Sequence, residues 1–292
     1  MIRSYIKRWD AEAVQMPNRQ TIDMTALEAG AELGQKAFGI IIQPRIDEET
    51  STPHAAMYDF RTDGITVFAN GIEKAVEAGG DAFHVVRHAV AHELGHAREA
   101  RYFAECGLFP YRLYIGSRCV IVAEGGRLSA TGFSSLFDGL INTIQDFAID
   151  KTLSQYGVKD QIARLDLKRT KDILNSLGSS SDKLERIRLR LQTVFNLPLD
   201  MSHYRFGDIA ETDKKGIREL AEKFLGTKKW QEALDLISGR RFGDVEGYKR
   251  MVASYMHEFL GVTPIFRKRP RVEFGNLPNF WNNDVYETLF VE

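Results

Sequence analysis

His92-Glu93-Leu94-Gly95-His96 constrains this chain more than any other stretch. Two histidines four apart face the same way on a helix, where about 3.6 residues per turn set positions i and i+4 on one face. The flanking sequence agrees: Phe83, Val86, Val90 and Leu94 keep helical spacing, which writes one side of the same helix for burial. The fold must therefore enclose a helix with an apolar stripe and, beside it, two imidazoles able to reach one metal ion. Glu93 stands next to them, where a carboxylate can accept a proton from a metal-bound water. Chance produces H-E-x-x-H in roughly 1 of 100 chains with this length and composition, so the motif calls for a physical reason.

With 292 residues the chain can bury a substantial core and is expected to form two lobes. A hydrophobic share of 43%, a charged share of 27% and a net charge of −1 describe an ordinary soluble composition. They give no bulk-charge signal for a nucleic-acid or membrane partner. No apolar run approaches the roughly 18 residues of a membrane span. Met1 to Asp10 lack the apolar block of a signal peptide, so a cytoplasmic setting is expected. The basic runs at Arg186-Ile187-Arg188-Leu189-Arg190 and Arg267-Lys268-Arg269-Pro270-Arg271 read as solvated surface. Cys106 and Cys119 are the two cysteines and are expected as reduced thiols. A four-cysteine zinc site is ruled out, leaving histidine and carboxylate to build any metal site.

Along the chain, a helix is predicted from Met24 to Lys36, with Asp23 or Thr25 as cap and Gly39 as stop. Strands are predicted at Ile40–Ile46, Ala55–Arg61 and Ile65–Ala69, with Asp63-Gly64 as a hairpin turn and Asn70-Gly71 closing the third. A short helix near Ile72–Ala78 leads to Gly79-Gly80. Asp81 then caps the motif helix, predicted from Ala82 to Phe103. Residues 104–134 read as loops with strand candidates at Tyr111–Ile115 and Arg118–Ala123. The helical pattern returns at Ser134–Tyr156 and continues at Asp160–Leu177, Asp182–Phe195, Asp213–Leu225, Lys228–Ile237 and Asp244–Leu260. The tail from Val262, carrying Pro264, Pro270 and Pro278, is expected to be extended and to lie over the surface. The fold class is thus α+β: a small mixed or antiparallel sheet packed on the motif helix, followed by a mainly α-helical C-terminal lobe.

A catalytic zinc site takes three protein ligands and leaves a fourth position for water. The first candidate for the third ligand is Asp146, four residues before Asp150 on one face of a helix whose Ile141, Ile144 and Ala148 can serve the core. One carboxylate would bind metal while the other accepts the free N–H of a ligand histidine. Asp150 is the alternative ligand, and Glu124 beside Gly125-Gly126 stays open. Glu99 continues the motif helix, which makes closing a tetrahedron difficult. His84 and His88 extend the i, i+4 row. A second metal there competes with the plainer reading of packed helix residues, which is favoured. His54 and His257 are left unassigned.

The H-E-x-x-H helix and the later Gln145-Asp146…Asp150 resemble the zincin metallopeptidases, specifically a compact form of the thermolysin-like gluzincin branch. That branch carries N-E-x-x-x-D on its second helix. This chain keeps the spacing with Asp in place of the ligand Glu, one methylene shorter, so its second helix must lie closer to the metal. The resemblance spans roughly residues 24–157. It implies a zincin-like catalytic domain at 1–157 and a helical subdomain with an extended tail at 158–292. It further implies Zn2+ held by His92, His96 and Asp146, with Asp150 in support and Glu93 as general base. Residues 65–69 would be an edge strand that binds an extended peptide, and His203, Tyr204 or Tyr111 would be a donor to the tetrahedral oxyanion. The expected activity is zinc-dependent hydrolysis of peptide bonds in a peptide or protein substrate. A non-catalytic zincin scaffold that binds a partner is the alternative. Peptide deformylase is disfavoured, since its ligand cysteine precedes the motif helix whereas both cysteines here follow it.

Overall fold

A computed structural model of the chain describes residues 22–291 except 53, 110–113, 116–121, 124–125, 128–129, 180 and 182. Helix α1 (Met24–Phe38) begins where the Asp23 carboxylate accepts the Thr25 backbone N–H at 2.8 Å. It stops where Gly39 turns left-handed at φ 69°. Strands β1 (Pro44–Asp47), β2 (Ala56–Asp59) and β3 (Gly64–Phe68) form a small mixed sheet in the order β1-β3-β2. β1 runs parallel to β3 and β2 antiparallel to it. Asp63, at φ 53°, makes the turn between β2 and β3. Residues 65–69 are therefore not an edge: β3 is bonded on both sides, and the open strand facing the motif helix is β2. The hairpin is legible locally, but the parallel arrival of β1 on the far side of β3 leaves no local trace.

Asn70-Gly71 do not close a turn; they open helix α2 (Ala69–Glu77), which starts straight off β3 and is held by buried Ile72 and Ala75. Helix α3 (Ala82–Glu105) carries the motif, and Asp81 caps it by accepting the His84 N–H at 3.0 Å. α1 packs along α3, and Gly34 permits the approach: a Cβ there would lie 2.3 Å from Leu94 Cδ1.

Short strands β4 (Tyr114–Ile115), β5 (Val122–Ala123) and β6 (Gly126–Arg127) precede helix α4 (Ala130–Ser154). Helices α5 (Ala163–Ser179), α6 (Lys183–Phe206), α7 (Glu211–Leu225), α8 (Thr227–Ser238) and α9 (Val245–Tyr255) build the helical lobe. A π-helical turn at Met256–Leu260 continues α9 to Gly261, left-handed at φ 65°. α6 does not end at Phe195 as the sequence predicts but runs through Pro198. A proline inside a helix costs about 3 kcal/mol. Complete burial of Leu197, Met201 and Phe195 around it outweighs that cost.

The tail is also corrected. It pairs as β7 (Pro264–Pro270) and β8 (Val285–Val291), with β8 in the middle of the order β4-β8-β7. Pro264 and Pro270 sit at the ends of the outer strand, where a missing N–H is tolerated. Trp281, Tyr286 and Val291 are fully buried rather than spread over the surface.

Two apolar cores result. One joins α1, the first sheet, α2 and most of α3 with Phe274, Trp281 and Tyr286 of the tail. The other joins Phe103 of α3 and Leu140, Ile144 and Phe147 of α4 to the helical lobe. Both α3 and α4 contribute to both cores, so the seam between these two helices lies where the cores meet. The fold is α+β and mainly helical, with small sheets. Among the described residues, no helix is long and apolar enough to cross a membrane.

Candidate metal centre

Gly95 decides how near α4 can come to α3. A Cβ at that position would lie 2.7 Å from Ile149 Cγ2, so the helices meet at a distance that only a bare backbone permits. Ile149 stands between Asp146 and Asp150 in sequence, and its contact with Gly95 delivers both carboxylates to the histidine face.

The two motif histidines turn their Nε2 atoms to one carboxylate oxygen. His96 Nε2 is 2.9 Å and His92 Nε2 3.3 Å from Asp146 Oδ1. Ligand atoms of His92, His96 and Asp146 all lie within 4.8 Å of one another. Around a tetrahedral zinc with bonds of about 2.0–2.1 Å, ligand atoms stand about 3.3 Å apart, so these separations need little adjustment to close on an ion. The opposite edges of the rings are also held. His92 Nδ1 meets Asp150 Oδ1 at 2.9 Å, and His96 Nδ1 meets Gln145 Oε1 at 3.2 Å. Such partners fix which nitrogen carries the proton and leave Nε2 free to ligate. Two imidazoles and a carboxylate suit zinc in hardness and in number.

Electrostatics reinforce the convergence. Burial works against a charged His92, yet the Asp150 and Asp146 carboxylates lift its pKa well above the ordinary value. Burial likewise opposes a charged His96, and Asp146 raises it. Burial pushes Asp146 and Asp150 up, but hydrogen bonds and charge from His92, with His96 at Asp146 and His88 at Asp150, hold both below the usual carboxylate range. The two carboxylates thus favour positive charge at this cluster.

Glu93 points to β2, where its Oε2 accepts the Tyr58 backbone N–H at 2.7 Å. That strand is anchored in turn: the Tyr58 hydroxyl donates to Asp63 Oδ1 at 2.9 Å, and Arg101 of α3 donates to Asp63 Oδ2 at 2.7 Å. The general-base candidate is thereby tied to the open side of the sheet.

Other sequence candidates lie elsewhere. Glu99 is buried against Arg240 of the helical lobe and takes no part in the cluster. His84 is exposed on the first turn of α3, its ring against Phe83, and His54 and His257 are exposed too. His203 is buried and paired with Asp160 Oδ2 at 2.7 Å, which corrects its reading as an oxyanion donor. Tyr204 stands edge-on to Trp230 in the lobe, which removes it as well. Glu124, Tyr111 and Cys119 fall outside the described residues; Cys106 is an exposed free thiol. Arg267 and Arg269 lie over the Phe290 ring at 4.4 and 5.3 Å, so that basic run is partly stacked rather than wholly solvated.

Nothing in the sequence marks a role for Gln145, Ser202 or Asp160 at this site. Ser202 Oγ donates to Asp150 Oδ2 at 2.7 Å, and His88 Nε2 reaches Asp150 Oδ1 at 3.3 Å. His88 carried a faint signal, as the residue one turn before His92; Ser202 carried none. No protein-family model, no curated protein and no solved structure matches this chain.

Proposed function

We propose that this chain is a zinc-dependent peptidase. The observation that carries the reading is the convergence of His92 Nε2, His96 Nε2 and Asp146 Oδ1, with both rings braced from behind and Glu93 beside them. His92, His96 and Asp146 would hold the ion. Zinc bound there supplies Lewis acidity, polarising a carbonyl and lowering the pKa of a bound water toward about 7.

The chain's own residues supply the rest. The Tyr58 N–H occupies Glu93 Oε2 and leaves Oε1 to take a proton from the attacking water and return it to the leaving amine. Asp150 and Gln145 keep the histidine rings aligned throughout. The Tyr58 N–H points away from β3, so the open side of β2 borders Glu93. An extended peptide would add to that side as a further strand, with main-chain bonds giving affinity whatever the side chains.

The test is wild type against Glu93→Gln. Both should carry about one zinc per chain, while cleavage of a peptide library should fall about 10²- to 10⁴-fold in the variant. Retained cleavage would remove Glu93 from its role. Zinc without cleavage in either protein would favour a non-catalytic scaffold.

A further inference from the structure

From the Nδ1 side of His92, a chain of alternating carboxylates and imidazoles runs into the helical lobe. Asp150 is followed by His88, then by Asp160, whose Oδ1 is 3.6 Å from His88 Nδ1. His203 and then Asp166 come next, at 2.7 and 3.4 Å. Four helices and the segment ahead of α5 supply these groups: His88 from α3, Asp150 from α4, His203 from α6, Asp166 from α5, and Asp160 from the segment before it. All but Asp166 are almost wholly buried. Buried ionisable groups are costly unless paired, and an apolar filling of this space would hold the helices together at least as well. Mechanical stability alone does not account for them.

The partners of Asp150 suggest what they do. Its Oδ1 faces His92 Nδ1 and His88 Nε2, and its Oδ2 takes the Ser202 hydroxyl. For His92 Nε2 to ligate, the ring proton must sit on Nδ1 and point at Asp150. A carboxylate held only at Oδ1 can swing about its Cβ–Cγ bond and lose that alignment. Ser202 closes the second oxygen, and His88, whose other nitrogen faces the Asp160 carboxylate across 3.6 Å, closes the first.

We propose that Ser202 of α6 and the His88–Asp160 arm are positioning residues that lock Asp150, and through it His92, so that the helical lobe sets the metal affinity of the site. The proposal rests on the zinc reading above. The lobe then serves as the back wall of the metal centre, and a shift of α6 transmits to the ion without touching a ligand.

The experiment measures zinc affinity by chelator competition, together with the visible absorption of the Co2+-loaded protein, for wild type, Ser202→Ala and Thr170→Val. Thr170 donates to Asp200 Oδ1 at 2.7 Å, another buried bond that ties α5 to α6 without reaching Asp150. Both variants should lower the unfolding temperature, but only Ser202→Ala should weaken zinc roughly 10-fold and alter the Co2+ spectrum. Placed on an Asp150→Asn background, Ser202→Ala should add little further loss, because it acts through that carboxylate. Equal zinc affinity in Ser202→Ala and Thr170→Val would overturn the proposal. Should Ser202→Ala not fold, Asp160→Asn loosens the same carboxylate from the other side; it is expected to weaken zinc about 3-fold or more, and unchanged affinity would count against the lock. A wild-type protein that binds neither ion would overturn the zinc reading itself, whereas wild-type binding with indifferent variants overturns the lock alone.

Discussion

Asp146 and Asp150 stand one turn apart on α4 and meet opposite edges of the same imidazole, His92. Asp146, with 15% of its side chain exposed, faces the Nε2 atoms of both motif histidines. Asp150, with 2% exposed, faces Nδ1 of His92 alone and is closed in by His88 and Ser202. The residue type is the same and the helix is the same. The nitrogen each one addresses, and the access to solvent, divide them: a carboxylate that faces two Nε2 atoms is placed to share an ion with both rings, and one closed in behind a ring is placed to orient it.

The division is tested most severely by removing each in turn. Asp146→Ala should abolish stoichiometric zinc binding, whereas Asp150→Asn should lower affinity about 10- to 100-fold while metal analysis at saturating zinc still finds the ion. The opposite order would exchange the two roles.

A second contrast is with Asp160, the next carboxylate inward. Burial opposes charge on His203, but the Asp160 carboxylate beside it raises the His203 pKa well above 6.5. Burial pushes Asp160 up, and the His203 and His88 charges bring it below 3.8. The imidazole contribution to stability is complete below its unfolded value of about 6.5 and is lost as pH climbs through the raised folded value. The carboxylate contribution is complete above about 3.9 and is lost only as pH falls through the depressed value. Relative to the doubly neutral variant Asp160→Asn/His203→Asn, wild type should lose up to about 1.4 kcal/mol of stability per pH unit above about pH 6.5. Denaturant unfolding from pH 6 to 9 reads this directly, and a flat difference would mean that the pair carries no shared proton.

Gly95→Ala moves both aspartates at once. With its new methyl 2.7 Å from Ile149 Cγ2, α4 must retreat. The expected cost is about 1–3 kcal/mol, accompanied by weaker zinc binding. Ile149→Ala on the same chain should recover part of the affinity by making room. A Gly95→Ala protein with full zinc affinity would show that the approach of the helices does not position the carboxylates.

The parts of this molecule that were legible in the sequence are those set by local chemistry. The Asp23 and Asp81 caps, the Gly39 stop and the 3.6-residue stripe of α3 all follow from short-range rules. So does the spacing that places Asp146 and Asp150 on one face of α4. Gly95 lay inside the motif, but its role depends on Ile149 of another helix. What stayed hidden depends on partners far along the chain. β3 lies in the middle of its sheet because β1 pairs with it in parallel, and β8 lies in the middle of the other because it returns to pair with β4 as well as β7. The continuation of α6 through Pro198 follows from burial of Leu197 and Met201, a tertiary gain that no local propensity contains. Ser202 is 52 residues from Asp150, and His203 is 43 from Asp160. A lone serine has no spacing to betray it, so the back of the site had to be seen rather than read.

X-ray absorption at the zinc edge of the loaded protein tests the central claim most directly. About one zinc per chain is expected, with two imidazole nitrogens and light oxygen donors at about 2.0–2.2 Å. A first shell with one imidazole or none, or a protein that fails to retain zinc, would contradict it.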